Sequence, residues 1–158
     1  MTAQRLDLLE NNLNKKVALI KELAEVLDKQ QELLNSSGVD LDLFDAYIDK
    51  QDALTESMEI LNEEADELYQ YLTKAQELSN AEYESAIGRI KELNAQLFAD
   101  FDELQKKEQN VKNQIEMYFQ KERKNFGDGR RSSKAALDYY KNMSGANVIP
   151  PQFMDQKK

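Results

Sequence analysis

Residues 54–75, LTESMEILNEEADELYQYLTKA, place Leu54, Met58, Leu61, Ala65, Leu68, Leu72 and Ala75 at alternating spacings of three and four. That spacing is the signature of a helix-packing seam, because positions three and four apart share one face of an α-helix. Upstream, Leu6, Leu13, Ile20, Leu27 and Leu34 recur every seven residues. No strand-like alternation of comparable length competes, so the chain is expected to be all-α. The helical pattern runs without interruption through residues 6–126. The predicted architecture is an elongated antiparallel bundle or coiled coil of three long helices, with a short C-terminal amphipathic segment.

The first helix is predicted over residues 4–35, roughly 48 Å at 1.5 Å per residue. It should stop at Asn35-Ser36-Ser37-Gly38, where Gly38 can take a positive φ, and Asp40 offers a cap for the next helix. The second helix carries Leu41, Phe44 and Ile48 before the seam, and its end is expected near Leu78. Ser79 and Glu82 have the spacing of a capping box, although neither Gly nor Pro forces a break there. Without a break, residues 40–125 would form one helix and the protein would have to dimerise to cover its apolar stripe. A third helix, residues 82–125, puts Ile87, Ile90, Leu97, Phe101, Leu104, Val111, Ile115 and Tyr118 on its inner face. At roughly 65 Å it outruns the first helix, so part of its distal apolar face is expected to lack an intramolecular partner. Gly88 within it costs on the order of 1 kcal/mol relative to alanine, and close helix approach is the expected reason.

Composition changes at Phe126. Residues 1–126 carry 15 Lys/Arg against 27 Asp/Glu, net −12, whereas residues 127–158 carry 6 against 3, net +3. The chain is thus divided into a helical domain, 1–126, and a tail, 127–158, opened by the joint Gly127-Asp128-Gly129. In the tail, residues 133–144 place Ala136, Tyr140 and Met143 on one helical face with Leu137 beside them. Of the pair Tyr139-Tyr140, either one ring packs back on the bundle or both are presented to another protein. Pro150-Pro151 holds the following residues extended.

The acidic body argues against nucleic-acid binding. No apolar stretch is long enough for a signal peptide or membrane span, so a cytoplasmic protein is expected. With no histidine and no cysteine, the chain lacks the means for Ser-His or Cys-His nucleophile pairs, a standard zinc site or the Glu-x-x-His motif of di-iron bundles. Glu63-Glu64-Ala65-Asp66-Glu67 is the densest carboxylate cluster, but consecutive helical positions point around the cylinder, which suits a solvated face. No enzyme activity and no cofactor are expected.

The chain resembles, over nearly its whole length, the flagellar export chaperones of the FlgN type. The residues that carry the resemblance are the leucine heptads of residues 23–34, Asp40-Leu41-Asp42, residues 50–54 and 61–68, the segment Ser133-Lys134-Ala135-Ala136-Leu137-Asp138-Tyr139-Tyr140, and the ending Phe153-Met154-Asp155-Gln156-Lys157-Lys158. The heptads are common to many coiled coils, and the tail is the more specific part. Asn147-Val148-Ile149-Pro150-Pro151 departs from the family's longer lysine- and glycine-rich linker. The resemblance implies a cytoplasmic chaperone that binds the C-terminal helices of hook-associated junction proteins, prevents their early assembly and delivers them to a flagellar export gate component. Helix-in-groove packing is compatible with such partners. The candidate groove is Val111, Ile115, Tyr118 and Phe119, with Leu137, Tyr140 and Met143 as a cover that the client displaces. The alternative is a structural coiled-coil adaptor, a homodimer through residues 40–125 with no export role.

Overall fold

The computed structural model describes residues 1–126, which form three long helices packed against one another. They are α1 (Thr2–Leu34), α2 (Leu41–Lys74) and α3 (Glu84–Phe126), with two 3₁₀ turns, Gln76–Ser79 and Ala81–Tyr83, between the second and third. No strand occurs among the described residues. The tail, including the amphipathic segment expected at 133–144, lies outside them.

The helices contribute to two compact units. In the first, residues 1–21 and 55–102, α1 buries Leu6, Leu9, Leu13, Val17 and Ile20, α2 buries Met58, Leu61, Ala65, Tyr69 and Leu72, and α3 buries Ile90, Leu97 and Phe101. Each such large side chain stabilises the fold by roughly 1.5–3 kcal/mol relative to exposure. Thr2 donates to Glu77, the Arg5 guanidinium lies 3.6 Å from the centre of the Tyr71 ring, and Asn12 Nδ2 donates to the Leu61 carbonyl at 2.9 Å. Positions rise along α1 as their partners fall along α2, so the two run in opposite directions there.

In the second unit, residues 22–54 and 103–126, Leu23, Val26 and Leu27 of α1 are buried, as are Leu41, Phe44, Ile48 and Leu54 of α2 and Leu104, Val111, Ile115 and Phe119 of α3. Inside this apolar set, Gln30 Nε2 donates to Gln51 Oε1 at 2.8 Å. Lys107 Nζ reaches Asp28 Oδ1 at 2.7 Å on the solvent side.

The seam expected along residues 54–75 is present as far as Leu72 with one substitution, and Ala75, its expected last member, lies beyond the end of α2 and is only half-buried. Tyr69 takes the buried position and Leu68 is only half-buried, because a row that advances by four from Ala65 lands on residue 69 before returning to Leu72. The first turn is closed without a left-handed glycine. Ser36 Oγ donates to the Leu33 carbonyl at 2.6 Å, and Gly38 has no positive φ. Asp40 caps α2 as expected, its Oδ1 accepting from the Leu43 backbone N–H at 3.1 Å.

The second connection differs from expectation. α2 stops at Lys74, four residues earlier than Leu78, and residues 40–125 are not one helix. No capping box forms: the Ser79 hydroxyl donates backwards to the Gln76 carbonyl at 3.1 Å, and neither 3₁₀ turn has a side-chain cap. The break is built instead from successive tight backbone bonds, Ala75 to Leu72, Leu78 to Ala75, Asn80 to Glu77 and Tyr83 to Asn80.

Gly88 is exposed, and a Cβ built there meets nothing within 4 Å. Close helix approach is therefore not its reason. Gly88→Ala should raise unfolding free energy by about 0.5–1 kcal/mol, measured as a higher urea midpoint at unchanged slope.

Candidate functional site

The four groove candidates lie on the last third of α3, in the second unit. Val111, Ile115 and Phe119 succeed one another every four residues and are 1%, 0% and 6% exposed. They are part of the buried row that begins with Ile90, not an open surface. Tyr118, expected on the inner face, is half-buried beside that row and meets Phe119 edge-on, ring centroids 5.4 Å apart. The apolar side chain that α3 does present here is Met117, 69% exposed. Leu137, Tyr140 and Met143 lie outside the described residues.

One turn before Val111, the burial of Glu108 pushes its carboxyl up from the ordinary value of 4.5 to about 7. In the same stretch Gln114 Oε1 is buried without a hydrogen-bond partner. On α2 of this unit, Asp42, Asp45 and Asp49 recur at helical spacing. Partial burial, together with the charges of Asp42 and Asp49, raises the Asp45 carboxyl above its usual range.

The first unit holds a feature that the pattern of apolar residues does not announce. Lys16 is 2% exposed, one turn from the buried Asn12. Burial lowers its ammonium from 10.5 to about 8, against the opposing pull of Asp66. Adjacent Lys15 and Lys16 read in sequence as a solvated pair, and only the period of Leu9, Leu13 and Ile20 could have placed the second inside. Tyr69 is pushed up to about 12, chiefly by burial, while its hydroxyl donates to Asn94 Oδ1 at 3.3 Å.

Among the described residues no three carboxylates or other metal-binding side chains gather where they could hold a metal ion. Glu63, Glu64, Asp66 and Glu67 are exposed around Ala65, and Glu64 reaches only the Asn12 amide at 3.5 Å. No described helix is long and apolar enough to cross a membrane. What this arrangement offers chemically is packing of apolar helix faces. Compared with protein-family models, curated proteins and solved structures, the chain matches none.

Two pH dependences follow from the buried ions. Between about pH 8 and 10.5 the unfolded chain holds the Lys16 proton that the folded chain has released, so stability rises with pH across that window. Lys16→Met should remove the rise and stabilise the protein at pH 7 by about 1–3 kcal/mol, read from urea unfolding at several pH values. Glu108 acts with the opposite sign: the folded chain holds the extra proton between 4.5 and about 7, so stability falls as pH rises through that range. Glu108→Gln should abolish the fall and add about 1–2 kcal/mol at pH 8.

Proposed function

We propose that the chain is a cytoplasmic flagellar export chaperone of the FlgN type. On this reading the three helices form an antiparallel bundle with coiled-coil seams, and the chaperone binds the C-terminal helices of hook-associated junction proteins and delivers them to the export gate. The observation that carries the reading is the combination of a helical scaffold, free of histidine and cysteine, with a tail bearing Ser133–Tyr140 and Phe153–Lys158 in the pattern of that family. The continuous apolar row of α3 supports it, because a client helix needs a stripe repeating every three to four residues.

Val111, Ile115 and Phe119 are buried, so client binding must expose them. Leu137, Tyr140 and Met143 are the proposed cover, displaced as the client helix takes its place beside Tyr118. Interfaces favour Tyr, Phe and Met for such exchange, since these side chains bring large area with adaptable shape. The adaptor alternative is a dimer through residues 40–125, and because α2 and α3 are separate helices it would pair two helices of each copy and not one long one.

Co-purification with the C-terminal segments of the junction proteins and of the filament cap from the same genome, followed by light scattering, tests the function. A stoichiometric complex with a junction segment is expected. A stable dimer that binds no flagellar segment would sink the reading. Alanine at Leu137, Tyr140 and Met143 together should tighten client binding by about tenfold, roughly 1.4 kcal/mol, because the competing cover is weakened. Weaker binding would make the tail part of the groove, and unchanged affinity in titration calorimetry would remove it from the site.

A further inference from the structure

The apolar row of α1 is rich in leucine, and a leucine seam packs on almost any other leucine seam. Left to itself it would pair with copies of α1 as readily as with α2 and α3. In the folded chain this row is interrupted by three polar side chains that are as buried as the leucines: Asn12, 3% exposed, and Lys16, 2%, in the first unit, and Gln30, 0%, in the second.

Each interruption is answered by a group of α2. Asn12 Nδ2 donates to the Leu61 carbonyl at 2.9 Å and approaches Glu64 Oε2 at 3.5 Å. Lys16 sits in the field of Asp66. Gln30 Nε2 donates at 2.8 Å to Gln51 Oε1, and Gln51 is itself fully buried. A second α1 in parallel register would answer Asn12 with Asn12 and Gln30 with Gln30, amide to amide, but it offers Lys16 no carboxylate in the place of Asp66. In that pairing Lys16 would meet Lys16, which buries like charges together. Single polar residues inside apolar seams are known to select register and copy number at a cost in stability.

We infer that Lys16, with Asn12 and Gln30 fixing the register of α1 on α2, makes α1 selective for the chain's own α2 against a second copy of α1, and so holds the protein to one copy. The selection has a cost, visible in Asn12 Oδ1, which is buried with no hydrogen-bond partner. It does not depend on what the protein binds, and no client enters its test.

The test uses the full chain and the variant Asn12→Leu/Lys16→Met/Gln30→Leu/Gln51→Leu, in which Gln51 is replaced so that no amide is stranded. In sedimentation equilibrium the natural chain should remain at its single-copy mass of 18.3 kDa as concentration rises. The variant, its helicity verified by circular dichroism, should melt higher and sediment at the mass of two or more chains, and restoring lysine at position 16 alone should return it to one copy. If the four-fold variant fails to fold, Lys16→Met by itself should still shift the mass upward at high concentration. A natural chain that already sediments as two or more copies overturns the inference. So does a folded variant that stays single at every concentration.

Discussion

A helix with one apolar stripe is stable in water only when something covers the stripe, and every described part of this protein follows from how α1, α2 and α3 cover one another. Isolated helices gain little from propensity alone. Here the cover is supplied three ways in each unit: Leu9, Leu13 and Ile20 with Met58, Leu72, Ile90 and Leu97 in the first, Leu23 and Leu27 with Phe44, Leu104 and Ile115 in the second. The exposed ion pairs, Arg89 with Glu10 and Lys107 with Asp28, decorate this packing. At such exposure they contribute little beside the buried area.

Against that apolar background the buried polar groups are the informative exceptions. Gln30 and Gln51 satisfy one another, whereas Lys16 and Glu108 are held where their charged forms are disfavoured. The two ions depart in opposite senses, and between about pH 7 and 8 both are mostly charged in the fold. The protein therefore retains two burdens near neutral pH that an apolar core would not carry. That is what a sequence selected for more than stability looks like.

Much of this could be read from the chain. The seven-residue leucine pattern located the buried face of α1, and Asp40 was recognisable as a cap. What escaped reading was decided by contacts that periodicity does not encode. The choice of Tyr69 over Leu68 depends on how a row drifts between steps of three and four. Phe119 over Tyr118 is the same drift one helix later. The stop at Lys74 has no glycine or proline to announce it. For the candidate site, Val111 and Ile115 were legible as members of one row, but that the row would be buried was not, because amphipathicity shows which face seeks a partner and never whether one has been found.

The joint between α2 and α3 has a different kind of consequence. Neither 3₁₀ turn contains a buried residue, so apart from the bond that Glu77 accepts from Thr2 the joint's length and composition bear little on the packing on either side. Closing a somewhat longer loop adds only a fraction of a kilocalorie of entropy per doubling. Over evolutionary time the joint can thus accept insertions and deletions that the helices cannot, and related chains could differ there in length while keeping the same three-helix contacts.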